Sequence, residues 1–243
     1  MEPRVLTELP PPADERLHYG EHPSQFVDLR RPAAGEGRPL VVMIHGGFWR
    51  ARYDLFHAGH LCAALTAAGF PTANIEYRRT GEPGGGWPGT FEDVKRAVNL
   101  VRADRTIVAG HSAGGHLALW VAAEIPGLTA VIGLAPVATL HQALSNRAVR
   151  ELMGGDPGEF PERYAYADPA RPTPVPRVIM HGDTDEIVPI DLSRTYSAPS
   201  KLIELPGAGH FDVIDPEAAA FGTVLAEFRR CGEANPGCSL SAG

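Results

Sequence analysis

The chain has 243 residues, of which 44% are hydrophobic and 21% are charged, and its formal net charge is −7. This is the composition of an ordinary globular protein, and the length predicts one α/β domain, residues 1–243, with a large core. A negatively charged protein repels phosphate backbones, and no apolar run reaches the ~18 residues of a membrane helix, so neither nucleic acid nor a membrane is an expected partner.

Residues 1–12 lack the basic region and apolar stretch of a signal peptide, which favours a cytoplasmic protein. The three cysteines are then expected to be free thiols, with a disulfide between Cys231 and Cys238 as the alternative. Residues 1–16 are polar and rich in proline and predict an extended, flexible arm. Residues 232–243 predict a flexible tail.

The first structural signals along the chain alternate between strand and helix. A short strand is predicted over residues 24–30. The continuous apolar run Leu40–Ile44 is typical of a strand covered on both faces of a parallel sheet. A helix over residues 58–68 and a strand over residues 71–77 follow. After a loop rich in glycine and proline, Thr90 is predicted to cap a helix, with Asp93 in the capping-box position.

The second half of the chain continues the alternation. The predicted elements are strand 106–109, helix 112–124, strand 128–135, strands 177–180 and 202–205, and a helix that Asp215 caps and that runs to about residue 230. Residues 137–172 interrupt the pattern and are predicted to form a small cap at the end of the sheet where α/β enzymes bind ligands. The alternation predicts a mostly parallel sheet with helices on both faces.

The sequence Gly110-His111-Ser112-Ala113-Gly114 matches G-x-S-x-G between a predicted strand and a predicted helix, the setting of a nucleophile elbow. The flanking glycines remove Cβ atoms from a tight turn. Ser112 would then lie near a helix N-terminus, whose free N–H groups favour a developing oxyanion. The alternative is a serine that only caps an ordinary helix.

Two loops could supply the N–H groups of an oxyanion hole. One N–H would come from Ala113, the residue after the nucleophile, and the other from Gly47 or Phe48 in the loop after an earlier strand. The alternative is a strand-to-helix turn that needs glycine only for its geometry.

A serine nucleophile needs a positioned base. His210 lies in a loop between the last predicted strand and the last helix, and it follows the acidic residues in the order that this arrangement requires. A surface histidine is the alternative. Asp183 and Asp185 both follow a buried strand, and their positions do not decide which of them would orient the histidine.

These residues together resemble a known family. The core, residues 25–230, is similar to α/β-hydrolase esterases. The His-Gly-Gly-x-Trp pattern of residues 45–49 is similar to the signature of kynurenine formamidases (arylformamidases) and their esterase relatives, which hydrolyse N-formylkynurenine to kynurenine and formate. Tyr19-Gly20 with residues 25–29, and Trp87-Pro88 ahead of Asp93, are similar to the same enzymes.

The resemblance implies an α/β-hydrolase fold and a serine hydrolase of small esters or aryl formamides that acts through an acyl-enzyme on Ser112. The pattern His181-Gly182-x-x-Asp185-x-x-Val188-Pro189 is similar to the acid loop of the superfamily, which assigns the acid to Asp185. The aromatic residues expected to line an apolar substrate pocket are Trp49, Trp87, Tyr164 and Phe211, with ordinary packing as the alternative for each.

No cluster of residues has zinc-like spacing, so neither a metal nor an organic cofactor is expected. A small molecule is the expected partner, and a homodimer is left open. Two other functions are consistent with these motifs. One is a serine peptidase, which is disfavoured because we identify no accessory domain that selects peptides. The other is a non-catalytic hydrolase-fold binding protein, which is disfavoured because all three triad residues are present.

Overall fold

An eight-stranded sheet forms the centre of the part of the chain that the computed structural model describes, residues 2–34, 37–141 and 147–233. The strands are β1 Glu15–His18, β2 Phe26–Arg30, β3 Leu40–Ile44, β4 Thr72–Ile75, β5 Thr106–His111, β6 Ala130–Leu134, β7 Arg177–Gly182 and β8 Lys201–Leu205. Their order is β1-β2-β4-β3-β5-β6-β7-β8. The pairings of β1 with β2 and of β2 with β4 are antiparallel, and all pairings from β4 to β8 are parallel. The predicted mostly parallel sheet is confirmed.

Helices cover both faces of the sheet, as the alternation of elements predicted. They are α1 Arg4–Thr7, α2 Gly59–Ala67, α3 Gly89–Val101, α4 Ala113–Glu124, α5 Arg147–Met153, α6 Pro161–Ala167, α7 Asp191–Arg194 and α8 Phe221–Glu233, with a 3₁₀ turn at Leu55–Ala58. Alternate residues of β3 enter two separate cores because successive side chains of a strand point to opposite faces. Val42 and Ile44 pack with α3 and α4, whereas Val41 and Met43 pack with α2 and α8.

The strand order creates a crevice where β3 and β5 end. β3 lies between β4 and β5, so the chain leaves β3 toward one edge of the sheet and returns on its other side with β5. In open α/β sheets such a reversal leaves a crevice at the carboxyl ends of the strands, where ligands bind. The loops that follow β3, β5, β7 and β8 all begin at this edge.

The prediction that residues 1–16 form an extended, flexible arm is wrong. Residues Arg4–Thr7 form α1, and the Val5 side chain is fully buried in the core shared with α2 and α8. Residues Glu15–His18 form β1, the edge strand of the sheet. An isolated apolar pair, Val5 and Leu6, is too short to show helical periodicity, but one buried valine is enough to anchor a segment.

The predicted capping of α3 by Thr90 is also wrong. The helix begins at Gly89, and the Thr90 hydroxyl donates to the Arg78 carbonyl instead of capping. Asp93 is fully buried and accepts hydrogen bonds from the side chains of Arg78 and Gln25, at 2.7 Å in each case. Thr90 and Asp93 therefore hold the preceding loop, through Arg78, against the helix.

The last helix starts later than predicted. Turns and a bend occupy residues 216–220, and α8 begins at Phe221. It includes Gly232 and Glu233, so the tail predicted from residue 232 is corrected at these two positions, and residues 234–243 lie outside the described residues. Within the described ranges, every helix falls short of the length and apolar character that crossing a bilayer requires.

The two cysteines that the structure describes, Cys62 and Cys231, are buried free thiols. Burial raises the pKa of Cys62 to about 12 and that of Cys231 to about 11, so neither is available as a thiolate nucleophile near neutral pH. Cys238, the partner in the alternative disulfide, lies outside the described residues.

Candidate active site

Ser112 occupies a strained turn between β5 and α4. Its backbone has φ 55° and ψ −119°, a positive φ that residues other than glycine rarely adopt. Three backbone hydrogen bonds hold this conformation: the Ser112 N–H donates to Leu134, and its carbonyl accepts from His116 and Val137. Because α4 starts at the next residue, the serine lies at the helix N-terminus, on the surface of a cavity.

The glycines around Ser112 are required by close backbone contacts. A Cβ atom on Gly114 would lie 2.2 Å from the Ile44 carbonyl oxygen, and one on Gly110 would lie 2.1 Å from the carbonyl oxygen of Gly114. Both distances are far shorter than a van der Waals contact, and backbone atoms cannot move aside cheaply. The G-x-S-x-G spacing is thus a steric condition for packing α4 against β3 and β5.

The loop after β3 faces the serine turn with an unusual backbone. Gly47, Phe48 and Trp49 have φ values of 108°, 57° and 55°. The N–H groups of Gly47, Phe48 and Ala113 donate to no protein acceptor in the part of the chain that the structure describes. Unpaired N–H groups beside a helix N-terminus suit a developing negative charge.

A buried polar network anchors this loop. His45 is fully buried, and its Nε2 lies 2.9 Å from Glu76 Oε1. The His45 ring stacks on Tyr77 with a centroid distance of 4.5 Å, and the Tyr77 hydroxyl donates to the His45 carbonyl at 2.9 Å. Glu76 also accepts the backbone N–H groups of Leu55 and Tyr77. These contacts keep the strained loop in place.

His210 and Asp185 form a close pair beside the serine turn. The His210 Nδ1 lies 2.7 Å from Asp185 Oδ2, so the ring donates there and keeps Nε2 as the nitrogen able to accept a proton. The side chain of Asp185 is fully buried, and its Oδ1 accepts the N–H groups of Ile187 and Val188 at 2.8 Å each.

The Asp185 carboxylate is held in its ionised form. Burial alone would raise its pKa, but hydrogen bonds from His181 and His210 outweigh burial, and the pKa lies well below its ordinary value. His181 Nε2 donates to Asp185 Oδ2 at 3.1 Å and to the Val188 carbonyl at 2.9 Å. Asp183 instead accepts the Gly207 N–H at 2.7 Å, and the carboxylate that pairs with His210 is that of Asp185. The structure therefore brings Asp185, not Asp183, to the histidine.

The serine and the histidine line one cavity of about 180 Å³. Its wall is mostly apolar and includes Phe48, Tyr53, Phe211, Ile187 and Leu6. The predicted cap, residues 137–172, contributes none of the described lining residues. Its helices α5 and α6 belong to the core of α3 and α4, and Trp120 of α4 donates to the carbonyl of Tyr166 in α6.

Two further histidines border the cavity, His57 and His111. Burial lowers the pKa of His57 to about 3 and that of His111 well below its ordinary value, so both rings are neutral. His111 Nε2 donates to the carbonyl of His210 at 2.9 Å. Among the described residues, neither ring has a carboxylate as a hydrogen-bond partner, which distinguishes both from His210.

Of the four aromatic residues predicted to bind substrate, only Phe211 lines this cavity. Trp49 is 1% exposed and packs edge-on against His116 in the core of α3 and α4. Tyr164 is buried as well, with its hydroxyl bonded to the Gly155 carbonyl. Trp87 lines a separate surface groove. The structure thus places these three side chains outside the cavity, because an aromatic residue near a motif can pack in the nearest core as readily as in the site.

Sequence analysis missed several residues of the cavity wall. Ile187 could have been found, since it lies two positions after Asp185 in the acid loop. Leu6, Tyr53 and His57 carry no motif, and only the fold brings them to Ser112. Among the described residues, no group of three or more His, Cys, Asp and Glu side chains could hold a metal ion.

Family models match two overlapping parts of the chain. The model named BD-FAE matches residues 27–126, and the model of the prolyl oligopeptidase family matches residues 90–206. The first match contains the loop after β3 and the serine turn. The second contains the serine turn and the acid loop.

Known proteins with similar sequences or folds include esterases and a formamidase. Esterase LipQ of Mycobacterium tuberculosis is 29% identical over 226 residues, which cover 76% of this chain and 53% of the esterase. Kynurenine formamidase avaC of Aspergillus versicolor is 25% identical over 223 residues, which cover 69% of this chain and 77% of the formamidase. A truncated carbohydrate esterase from gut microbiota has the same fold with a TM-score of 0.76 at 19% identity, covering 93% of this chain and 100% of that chain.

The chain spans about half the length of LipQ and of two further curated relatives. The matched regions nevertheless contain strands β3 to β8, the serine turn and the acid loop. The strand order and the position of these loops at the carboxyl ends of the strands indicate the same fold as the sequence matches do. The chain has the α/β-hydrolase fold, and its sequence resembles those of esterases.

Proposed function

We propose that the protein is a serine hydrolase of small carboxylic esters that works through an acyl-enzyme on Ser112. The observation that carries this proposal is the Asp185–His210 pair, 2.7 Å apart, which borders the same cavity as a serine in a strained turn. The esterase relatives support it. A strained backbone and a strongly shifted carboxyl pKa both concentrate at active sites.

The proposed reaction has two halves. The Ser112 Oγ attacks the ester carbonyl carbon while His210 Nε2 takes the hydroxyl proton, and the oxyanion is held by the N–H groups of Ala113 and of Gly47 or Phe48. The bond to the alcohol oxygen then breaks, and His210 returns the proton to that oxygen. Water, deprotonated by His210, attacks the acyl carbon. The bond between that carbon and Ser112 Oγ then breaks, His210 returns the proton to Oγ, and the carboxylic acid leaves. Asp185 stabilises the imidazolium in both halves.

The cavity favours a short acyl group. Its ~180 Å³ lies below the roughly 300–1,000 Å³ of pockets that enclose drug-sized ligands. Aryl formamides are a second candidate substrate class, because formyl is the smallest acyl group. The His-Gly-Gly-x-Trp pattern of residues 45–49 and the similarity to a kynurenine formamidase favour this candidate.

The proposal is tested by comparing kcat/KM for p-nitrophenyl acetate with kcat/KM for N-formylkynurenine and for a dipeptide p-nitroanilide. We expect turnover of the acetate, and turnover of the formamide if the second candidate also holds. Turnover of the anilide alone would favour a peptidase. If none of the three is hydrolysed faster by the wild type than by Ser112→Ala, the proposed hydrolase function is wrong.

Asp185→Asn should lower kcat for p-nitrophenyl acetate by about 10⁴-fold, because an amide cannot stabilise the imidazolium and favours the wrong ring tautomer. Asp183→Asn is the matched control, since Asp183 lies in the same loop but accepts the backbone N–H of Gly207 instead of a hydrogen bond from His210. We expect the control to keep kcat within about threefold of wild type. Similar losses in both variants would contradict the assignment of the acid to Asp185.

A further inference from the structure

The N-terminal segment, residues 3–10, closes one side of the cavity. The Leu6 side chain from α1 lies in the wall of the cavity that holds Ser112 and His210. It is half-buried against the core formed with α2 and α8. The N-terminal segment therefore packs at the carboxyl edge of the sheet, where the candidate active site lies.

Several contacts hold this segment on the body of the protein. Arg4 forms an ion pair with Asp215 at 2.6 Å, and Asp215 follows the loop that carries His210. Val5 is fully buried. The next anchor is His60 of α2, whose Nε2 donates to the Glu8 carbonyl at 2.9 Å. One ion pair at a partly exposed surface contributes little to the stability of this docking. The buried Val5 side chain and the hydrogen bond from His60 contribute more, and together the contacts fix the position of the segment.

A close contact fixes the far end of the segment. A Cβ atom on Gly59, at the start of α2, would lie 2.8 Å from the Pro10 ring. Pro10 and Gly59 are thus in direct contact, and the segment is docked on both sides of Leu6. A side chain held from both sides forms a wall of fixed position instead of a loose cover.

We propose that Leu6 is a specificity-determining residue, which limits the length of the substrate chain that can lie beside Ser112. The proposal rests on the proposed ester hydrolysis. The cavity is small and apolar, so the exclusion is steric and an added methylene of the substrate must displace the leucine side chain. In an apolar pocket, one methylene changes relative rates by about 10-fold or more.

The test compares chain-length preference in Leu6→Ala, Leu6→Phe and Leu9→Ala. Leu9 is the matched control, because it belongs to the same segment and is 85% exposed. Two substrate series are used: p-nitrophenyl acetate, butyrate and hexanoate vary the acyl part, and ethyl, butyl and hexyl acetate vary the alcohol part. In one of the series, we expect Leu6→Ala to raise the kcat/KM ratio of the longest to the shortest member by about 10-fold or more, and Leu6→Phe to lower it. Leu9→Ala should leave both ratios at the wild-type value.

Ratios unchanged within about twofold in both series for both Leu6 variants would overturn the proposal. A loss of folding is recognised by thermal melting, and opposite shifts in the alanine and phenylalanine variants cannot come from partial unfolding. If the wild type hydrolyses no ester, the proposed function has failed by itself. The same variants then react with ethyl and hexyl fluorophosphonates, and intact-protein mass gives the rate ratio. The role of Leu6 would also be overturned if Leu6→Ala left the ratio of the hexyl to the ethyl labelling rate unchanged. The same conclusion would follow if neither probe labelled the wild type.

Discussion

Ser112→Ala is expected to lower kcat for p-nitrophenyl acetate by about 10⁴–10⁶-fold, to near the rate that transition-state binding alone provides. The variant cannot form the acyl-enzyme, because alanine has no nucleophilic oxygen. The oxyanion N–H groups and the Asp185–His210 pair remain in place, so a small residual rate above the uncatalysed reaction is expected. Initial rates at saturating substrate, corrected for spontaneous hydrolysis, measure this loss.

The fold should survive this substitution. Alanine meets the same positive φ as the serine, and the three backbone hydrogen bonds at residue 112 do not involve the hydroxyl. Ser197→Ala is a suitable control, since that serine is exposed and is not among the residues that line the cavity. Retention of more than about a tenth of wild-type kcat in a correctly folded Ser112→Ala protein would show that another group attacks the substrate.

His210→Ala should cause the second largest loss, about 10⁴-fold or more in kcat, because the serine then has no base and the leaving alcohol has no acid. His181→Ala should cost only about 10–100-fold, since His181 orients Asp185 but does not reach the cavity. Both histidines contact the same oxygen of Asp185, which makes them a closely matched pair.

The comparison uses kcat and KM for p-nitrophenyl acetate, with thermal melting of each variant as the folding control. His181 is fully buried, and its Nδ1 accepts from the Ser193 hydroxyl at 2.7 Å, so its removal should lower the melting temperature more than the removal of His210. If the kinetic losses were equal in folded variants, the assignment of His210 as the base would be contradicted.

The central part of this fold could be predicted from sequence because local pattern and tertiary packing agree there. The run Leu40–Ile44 is apolar on both faces, and the strand is indeed covered on both faces. The serine turn was equally predictable, since the positions of Gly110 and Gly114 are set by contacts too close for any Cβ atom. In these places one arrangement satisfies every physical requirement.

The rest depended on long-range contacts that leave no local pattern. The sequence positions of Asp183 and Asp185 do not decide between them. The family resemblance assigns the acid to Asp185, and the physical reason is the approach of residue 210, which no local pattern shows. Trp49 follows the loop motif but belongs to the core of α3 and α4. Leu6 lies more than a hundred positions from Ser112, and it becomes part of the cavity only because α1 docks on the carboxyl edge of the sheet.

Covalent trapping of the nucleophile tests the central claim most directly. The wild-type protein is treated with an ethyl fluorophosphonate, and peptide mass spectrometry identifies the residue that carries the phosphonyl group. We expect one adduct per chain, on Ser112, with a rate that falls at least about 10²-fold in His210→Ala. An adduct formed at the wild-type rate in Ser112→Ala, or located on another residue of the wild type, would contradict the account.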